Sequence, residues 1–427
     1  MPLTPNTIEN LRTALSSEWH ARPLLALPSP LRCTHLVSLR QGTDLEARRR
    51  EFSDFCRDQG QSEPNSQSRH HSIQAGNCLI KWEGHTEVDA YTILVAGSSD
   101  VTYAEPAISY LDSRFRDRLL EERFVGIHLE VLAGDDSSFE KRLERVRAQL
   151  ANNEVYGGGL SEGAGEIWSS FRLDGDGFQR VLLIDHALGE SRLARHLQRA
   201  LESESYRMLA MLALPEARQV MGMLGELEPA LDDVMAQLSH HDADPSQERQ
   251  LERITRIAAR VEHVAAVHAY RFAAARAYSG IVEKRLAELA EERYGAASRY
   301  STFLQKSLLP AMRTCEAAER RTQELAQRVT RATQLLDSMV DVDQKKQNQA
   351  ILESMDQRAN TQLRLQQSVE GFSIFAITYY AVGLVGYLLK SAKELGMLVD
   401  PGLLTGLSAP VVLVVAWWSV RRIKRRL

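Results

Sequence analysis

The sequence is poor in cysteine and has no excess of basic residues. Only 4 cysteines occur among 427 residues, and none of them forms a CxxC pair, which is typical of proteins in a reducing compartment. The 52 Lys and Arg residues are outnumbered by 56 Asp and Glu, so the formal net charge is −4. Because affinity for nucleic acid requires a basic surface, we expect no nucleic-acid partner.

Motifs that bind nucleotides or direct secretion are also missing. The chain contains neither a Walker A loop nor a GxGxxG fingerprint, the two glycine-rich patterns that hold phosphates. Its first ten residues, MPLTPNTIEN, carry neither a basic segment nor an apolar core, so we expect no signal peptide. Nucleotide hydrolysis therefore has no support in the sequence.

The C-terminal part lacks charge over two long stretches. Residues 371–389 and 402–420 each run for 19 residues without a charged side chain, separated by a short polar connector at 390–401. As helices they would each span about 28 Å, close to the ~30 Å hydrocarbon core of a bilayer. The pattern predicts a two-pass transmembrane hairpin, and the alternative is a buried helical hairpin in a soluble protein.

The charge of the tail predicts how this hairpin is oriented. Five of the last seven residues, 421–427, are basic, and cytoplasmic flanks of membrane spans carry the excess of Lys and Arg. We therefore expect a cytoplasmic tail. Because two crossings return the chain to its starting side, residues 1–370 are expected to be cytoplasmic as well.

Residues 1–190 predict a mixed α/β domain. The order strand, helix, hairpin, helix occurs twice with an offset of about 90 residues, which indicates two pseudo-repeats. Residues 60–72 are predicted to be a linker. The predicted elements are a strand at 34–40, a helix at 43–59, a hairpin at 77–83 and 87–96, and a helix at 106–122, followed by a strand at 124–133, a helix at 137–152, and a hairpin at 166–173 and 178–185.

Residues 191–370 have the composition of long helices. Pro215 and Pro229 are expected to break the first stretch, and a helix is predicted from Ser246 towards Leu309, with Pro310 as a kink or restart. A second helix at 311–370 would be about 90 Å long. Apolar residues at 3-4 spacing predict a coiled-coil or bundle seam along it, namely Leu325, Val329, Ala332, Leu336 and Met339.

The predicted fold class is therefore α+β with four parts. These are an α/β domain (1–190), a long-helix stalk (191–370), a transmembrane hairpin (371–420) and a basic cytoplasmic tail (421–427).

Two motifs resemble catalytic or metal-binding patterns but have simpler explanations. Residues 159–163 match GxSxG, yet a nucleophile elbow needs a strand before the serine and a helix after it, and here the serine is predicted to lie in a glycine-rich loop. Residues 174–177, Asp-Gly-Asp-Gly, are better explained as a hairpin turn than as a calcium loop. We predict no catalytic residues and no cofactor, apart from a possible divalent cation.

Two groups of residues could hold that cation. His20, His35, Glu83 and His85 are chemically suited to a metal, although their spacing fits no compact motif; His70 and His71 fall in the predicted linker, and His240–Asp244 is a similar weak candidate. On the stalk, Asp337, Asp341 and Asp343 lie close together in sequence, and Asp337 and Asp341 share a face and would form carboxylate rings if the helix self-associates. A solvated helix face is the alternative explanation.

Four segments carry a resemblance to a known family. They are residues 18–23 (EWHARP), 81–87 (KWEGHTE), 309–316 (LPAMRTCE) and 363–389. The chain resembles the bacterial family of uncharacterised membrane-anchored proteins classed as a domain of unknown function. The resemblance implies anchorage in the bacterial inner membrane, and its signature polar residues are Trp19, His20, Arg22, Trp82, Glu83 and His85.

The build of the chain is also distantly similar to CorA-type magnesium channels, which combine an α/β head, a long stalk helix and two C-terminal spans. Those channels carry a Gly-Met-Asn motif at the end of the first span, whereas this chain has GLVGY at 383–387. If the similarity holds, it implies a homo-oligomer in which Gly383, Gly386 and Tyr387 line a central axis and the glycines allow close helix approach.

Three functional hypotheses follow. The first is a non-enzymatic, membrane-anchored binding or scaffold module, with membrane lipid around its spans and an unknown protein or ligand partner for its head. The second is a CorA-like homo-oligomeric transporter of divalent cations. The third is a membrane-tethered metalloenzyme that uses His20, His35, Glu83 and His85.

Overall fold

The computed structural model describes residues 12, 26–40, 42, 44–135, 137–239, 247–394 and 400–424. It combines one 8-stranded sheet with long helices, so the predicted α+β class is confirmed. The chain divides into two units. The first comprises Met1–Asp242 and Glu252–Arg331, and the second comprises Ala243–Leu251 and Ala332–Leu427.

The sheet lies in the first unit and has the strand order β2-β3-β4-β1-β5-β8-β7-β6. Neighbouring strands are antiparallel except for β5 and β8, which are parallel. The strands are β1 (Leu31–Leu39), β2 (His70–Ala75), β3 (Cys78–Gly84), β4 (Val88–Ala96), β5 (Arg123–Ala133), β6 (Tyr156–Leu160), β7 (Gly165–Leu173) and β8 (Gln179–Asp185).

The helices alternate with strands in the first part of the chain and follow the last strand in the second part. A short 3-10 helix at Ala107–Tyr110 follows β4. The α-helices are α1 (Leu45–Asp58), α2 (Ser113–Glu121), α3 (Phe139–Gln149), α4 (Glu190–Met211), α5 (Ala213–Ser239), α6 (Gln247–Leu289), α7 (Tyr300–Glu394) and α8 (Pro401–Lys424). The sequence predicts Thr43 or Asp44 as the cap of this helix, and Asp44 caps α1, where its carboxylate accepts a hydrogen bond from the Ala47 amide.

Both pseudo-repeats contain one strand more than the sequence predicts. Each predicted hairpin is a three-stranded meander, β2-β3-β4 in the first half and β6-β7-β8 in the second. The prediction that residues 60–72 form a linker is therefore wrong at its end, because His70 and His71 begin β2. The two missed strands are the two edges of the sheet. β2 buries only one apolar side chain, and β6 consists largely of glycine, so neither strand has a strong apolar pattern.

The glycine run of β6 is explained by close backbone contacts. A Cβ atom on Gly157 would lie 2.1 Å from the Ile167 carbonyl oxygen, and one on Gly158 would lie 2.3 Å from the Glu292 carbonyl oxygen. The segment between α6 and α7 covers this edge, since Gly159 and Glu292 exchange two backbone hydrogen bonds of 3.1 and 2.9 Å. Only glycine admits this approach, and the covered edge is protected from pairing with another chain.

An aromatic cluster forms the core on one face of the first half of the sheet. Phe52, Trp82 and Tyr91 are buried together, and the rings of Phe55 and Phe115 stack with centroids 3.9 Å apart. Burying aromatic side chains of this size contributes a large share of the stabilisation of a small core.

Three of the predicted helix boundaries are wrong. The break expected near Pro215 is present, because α4 ends at Met211 and α5 begins at Ala213 with Pro215 in its first turn, where proline is tolerated, but Pro229 lies inside α5 and does not break it. The helix expected to run from Ser246 towards Leu309 ends at Leu289, after which the chain turns through Gly295 with a positive φ of 58°. Pro310 lies inside α7 and does not restart a helix.

The beginning of the apolar seam on α7, up to Val329, is part of a helical bundle within the first unit, and the rest of the seam lies in the second unit. Leu325 and Val329 are buried, and on the same helix Arg321 forms an ion pair of 2.5 Å with Glu228 of α5. Arg276 of α6 pairs with Glu319 of α7. The start of α7 therefore packs against helices of its own chain.

The second unit contains the two apolar runs. Helices α7 and α8 each include a stretch long and apolar enough to cross a membrane by length and composition, and only 6% of each stretch is buried. The two runs contact each other at Gly386, where an added Cβ would lie 3.3 Å from Thr405 Cγ2. The connector residues 395–399 lie outside the described residues.

Candidate functional site

A cavity of about 280 Å³ lies in the first unit between the sheet and helices α4 and α6. Strands β1, β3 and β4 form one wall, and the two helices form the other. The polar residues that line it are His35, Glu83, His85, Glu202, Ser205, Tyr206, Lys284 and Arg285. It is the candidate functional site because it collects several residues that the sequence singles out.

The alternation of side chains along β3 explains why part of the segment 81–87 lines this cavity. Side chains of a strand point to opposite faces in turn, and β3 alternates between buried and half-buried positions. Trp82 points into the aromatic core and is completely buried, whereas Lys81 and Glu83 point to the opposite face. Trp82 is therefore a structural residue, and Glu83 and His85 are the signature residues that line the cavity.

His35 is held in one neutral form at the cavity wall. Its Nδ1 atom lies 2.9 Å from Thr92 Oγ1, and its Nε2 atom lies 3.1 Å from Ser205 Oγ. The Ser205 hydroxyl donates to the Leu201 carbonyl oxygen at 2.7 Å, so Ser205 Oγ accepts from His35 Nε2–H, and Nδ1 accepts from Thr92. Burial lowers the pKa of His35 to about 4.

Neither ring nitrogen of His35 is therefore free to bind a metal. Within the described ranges, no group of three or more His, Cys, Asp or Glu side chains is placed to hold a metal ion. His20, the fourth residue of the metalloenzyme hypothesis, lies outside those ranges, as do Trp19 and Arg22. The cavity brings His35, Glu83 and His85 together in an arrangement that favours binding a polar molecule.

Glu83 supplies a negative charge on the sheet side of the cavity. Burial raises the pKa of its carboxyl group, but the Lys81 ammonium, at 3.1 Å, together with His85 outweighs this effect and keeps the pKa below its usual value. Glu83 is therefore ionised at neutral pH. The neighbouring neutral imidazole of His35 adds no charge to this wall.

The helices supply both signs of charge on the opposite side. Arg285 of α6 forms ion pairs with Glu202 of α4 and with Glu288, the latter at 2.8 Å. Lys284 is exposed at the edge of the cavity and makes no hydrogen bond or ion pair to the described residues. The Tyr206 ring lies 6.5 Å from the ring of His85.

Glu87, the last residue of the segment 81–87, binds this segment to α6. Glu87 accepts a hydrogen bond of 2.5 Å from the Tyr278 hydroxyl and forms an ion pair of 3.1 Å with Arg271. Burial, with Glu87 beside it, raises the pKa of Tyr278 well above its usual range. These contacts hold α6 against the sheet and so fix the width of the cavity.

Gly159 and Leu160 of the GxSxG motif end strand β6, and Ser161 lies in the turn that follows, so the serine is in a loop, as the sequence predicts. Ser161 has a φ of 52°, and its Oγ lies 2.9 Å from His196 Nε2. His196 Nδ1 is buried and has no hydrogen-bond partner in the described part of the chain. The Glu162 amide already donates to Glu292 at 3.0 Å. With β7 following directly, these residues form a hairpin turn.

The Asp-Gly-Asp-Gly segment is a hairpin turn between β7 and β8, as the sequence predicts. The Asp174 carboxylate accepts hydrogen bonds from the amides of Asp176 and Phe178 at 3.0 and 2.9 Å. It also forms an ion pair of 3.0 Å with Arg180. Its oxygens are thus occupied by protein donors.

The remaining candidate residues lie in the second unit or outside the described ranges. Asp337 and Asp341 are exposed on α7, and Asp343 lies 3.7 Å from Lys346, so their role in cation binding stays a prediction. Gly383, Gly386 and Tyr387 line a groove beside the first apolar run. The residues at 240–244 lie outside the described ranges.

Three buried histidines predict that the first unit loses stability in mild acid. Burial lowers the pKa of His35, His128 and His196 to about 4 each. The unfolded chain, with histidine pKa values near 6.5, then binds protons that the folded chain does not, so stability is full above about pH 6.5 and falls towards pH 4. We expect a loss of about 2 kcal/mol for each histidine between pH 8 and pH 5.

Urea unfolding of the detergent-solubilised protein at pH 8, 6.5 and 5 measures this loss. The variant His128→Gln is expected to show a smaller difference between pH 8 and pH 5, because one of the three groups no longer titrates. A free energy of unfolding that stays constant or increases from pH 6.5 to pH 5 would contradict the prediction.

The chain matches the model of a protein family along nearly its whole length. This model, described as "Protein of unknown function (DUF3422)", matches residues 7–427. None of the curated proteins matches the sequence.

Proposed function

The chain belongs to this family of proteins of unknown function, as its sequence resemblance predicts, and we propose that it is a membrane-anchored binding protein. In this proposal the two apolar runs cross the bacterial inner membrane with both chain termini in the cytoplasm. The cavity of the first unit binds a small polar ligand there, without catalysis and without a resident cofactor.

The exposure of the two apolar runs is the main observation in support of membrane anchorage. An apolar helix of a soluble core is buried, whereas only 6% of each run is buried in this chain. Phe372, Tyr379 and Leu407 are 76%, 76% and 66% exposed. Soluble monomers rarely expose contiguous apolar surface on this scale, so a lipid environment is the natural solvent for both helices.

The end of α8 supports the orientation of the anchor. Trp417 and Trp418 lie near the end of the second run, and the guanidinium groups of Arg421 and Arg422 lie 4.8 and 4.9 Å from the centres of their rings. Tryptophan is enriched at the membrane interface, and arginine at the cytoplasmic side. The pairs favour a cytoplasmic tail in contact with lipid headgroups.

The chemistry of the cavity supports a small ligand that carries charges of both signs. Glu83 offers a carboxylate on the sheet side, whereas Lys284 and Arg285 offer cations on α6. Ser205 and Tyr206 add hydroxyl groups. A volume of about 280 Å³ is close to the lower end of known ligand sites, roughly 300 Å³. A free amino acid or a similar zwitterion matches both the size and the charges.

A binding test with matched variants checks this proposal. We expect some zwitterions in a panel of free amino acids to raise the melting temperature of the purified protein and to bind by calorimetry. Arg285→Gln is expected to weaken that binding at least tenfold, since loss of a charged hydrogen bond costs about 1.5–3 kcal/mol. Arg260→Gln, an exposed arginine of the same helix, should leave binding unchanged.

Two results would contradict the cavity proposal. One is a panel in which no compound changes the melting temperature of the unaltered protein. The other is binding that Arg285→Gln and Arg260→Gln affect equally.

The alternative of a CorA-like homo-oligomeric transporter stays a prediction. It requires Asp337, Asp341 and Asp343 of several copies to bind a divalent cation together. Native mass spectrometry with and without millimolar magnesium separates the alternatives, because only the transporter needs an oligomer whose stability depends on the metal.

A further inference from the structure

We propose that one face of the first apolar run, formed by Ala376, Tyr379, Tyr380 and Gly383, is an interface between adjacent copies of this chain within the membrane. The inference rests on the proposed function, because it requires this run to cross a bilayer. It goes beyond that function by naming the surface through which copies associate.

The depth of two tyrosines is the first step of the argument. Tyr379 and Tyr380 lie in the middle of the uncharged run 371–389, about 12 to 15 Å along the helix from either end. A tyrosine side chain is too short to bring its hydroxyl group to the lipid headgroups from that depth. Tyr387 differs, because it lies two residues from the end of the run, where tyrosine normally occurs.

The hydroxyl groups of these two tyrosines lack partners in the part of the chain that the structure describes. Their side chains are 76% and 71% exposed, and their two rings lie 5.7 Å apart between centroids. By contrast, Thr378 donates to the Ile374 carbonyl oxygen at 2.7 Å, and Thr405 donates to Pro401 at 2.6 Å. Hydrocarbon offers no hydrogen bonds, so an unpaired hydroxyl there is unfavourable.

A glycine on the same face lets another helix come close. Gly383 lies one turn beyond both tyrosines, at the i+4 and i+3 positions, and therefore shares their face. A Cβ built on Gly383 meets nothing within 4 Å, whereas one on Gly386 meets Thr405 of the second run. Gly386 thus serves the contact within the chain, and Gly383 is left uncovered. Small residues at such positions are typical of helix interfaces in membranes.

The chemistry of the face favours a second copy as its occupant. A lipid tail would cover the surface but would leave both hydroxyl groups unpaired. A tyrosine hydroxyl is both a donor and an acceptor, so the same face on a neighbouring copy offers each hydroxyl group a hydrogen-bond partner. Self-complementary surfaces of this kind are what symmetric contacts between identical subunits require.

Disulfide cross-linking in native membranes tests the face directly. Ala376→Cys places a thiol on it, and Ala381→Cys places the same substitution on another side of the same helix. The four native cysteines are all buried, and the unaltered protein controls for them. We expect oxidation to give a disulfide-linked dimer with Ala376→Cys and little or none with Ala381→Cys.

Removal of the hydroxyl groups tests their role without changing the shape of the face. The double variant Tyr379→Phe with Tyr380→Phe is expected to weaken self-association about tenfold, as measured by native mass spectrometry of nanodisc samples over a range of protein-to-lipid ratios. Tyr387→Phe is the matched control and should associate like the unaltered protein.

Several outcomes would overturn the interface. They are a monomer at all ratios, equal cross-linking at positions 376 and 381, and unchanged association of the double phenylalanine variant. Release of the protein from membranes by alkaline carbonate would contradict the proposed function as well. An integral membrane protein that stays monomeric would overturn the interface alone.

Discussion

Replacing Asp89 with alanine is expected to lower the free energy of unfolding by about 3–5 kcal/mol, the usual cost of breaking a buried ion pair. The Asp89 side chain is only 1% exposed. Its carboxylate accepts two hydrogen bonds of 3.1 Å from Arg40 and one of 3.2 Å from the Trp82 indole. Removal of the carboxylate leaves the guanidinium buried without its counter-charge and the indole without an acceptor.

The loss is measurable as a shift of the urea midpoint followed by tryptophan fluorescence. The matched control is Asp100→Ala, which removes an exposed carboxylate and is expected to change stability by less than about 0.5 kcal/mol. A loss below about 1 kcal/mol for Asp89→Ala would show that this pair does not hold the β3–β4 hairpin. The cavity would lose shape with the hairpin, since Glu83 and His85 lie on it.

Two arginines placed in the apolar runs are expected to reduce membrane insertion strongly. Ile377 and Val411 lie near the middle of the first and second run, and their side chains are 50% and 63% exposed. An arginine at the centre of a span costs about 2.5–3.5 kcal/mol on the insertion scale, so the double variant Ile377→Arg with Val411→Arg adds about 5–7 kcal/mol. The fraction of chains that keep the hairpin in the membrane should fall accordingly.

A second double arginine variant, with both substitutions on the long helix α7, controls for the added charge. Val342 and Ile351 are 50% and 58% exposed on α7, but they lie before the first apolar run. Val342→Arg with Ile351→Arg is expected to leave membrane association unchanged. If the two double variants behave alike after alkaline extraction, the apolar runs are not what holds the protein in the membrane.

The elements that the sequence predicts well are those with a strong local pattern. Strand β4 and the helix cap at Asp44 are examples, because alternation and capping are properties of a few neighbouring residues. Strands β2 and β6 were missed for the opposite reason. β2 buries a single apolar side chain, Ile73. The glycines of β6 are required by the close approach of the segment at Glu292, which is far away in the sequence.

The candidate site shows the same limit. The resemblance indicates Glu83 and His85, which are close together in sequence and lie in one hairpin. It could not point to Glu202, Ser205 or Arg285, which reach the cavity from helices more than a hundred residues away. Nothing in the spacing of those three residues distinguishes them from the other polar residues of α4 and α6, so only the packing of the helices on the sheet reveals them.

The most direct test of the anchored architecture is the side of the membrane on which the connector lies. A single cysteine is placed at Asp400, between the two runs, or at Asp100, on an exposed loop of the first unit. Both variants are treated with a membrane-impermeant maleimide in spheroplasts of a bacterial host. Our account predicts that Asp400→Cys is labelled in intact spheroplasts and Asp100→Cys only after permeabilisation. Labelling of Asp100→Cys in intact spheroplasts, or protection of Asp400→Cys, would contradict it.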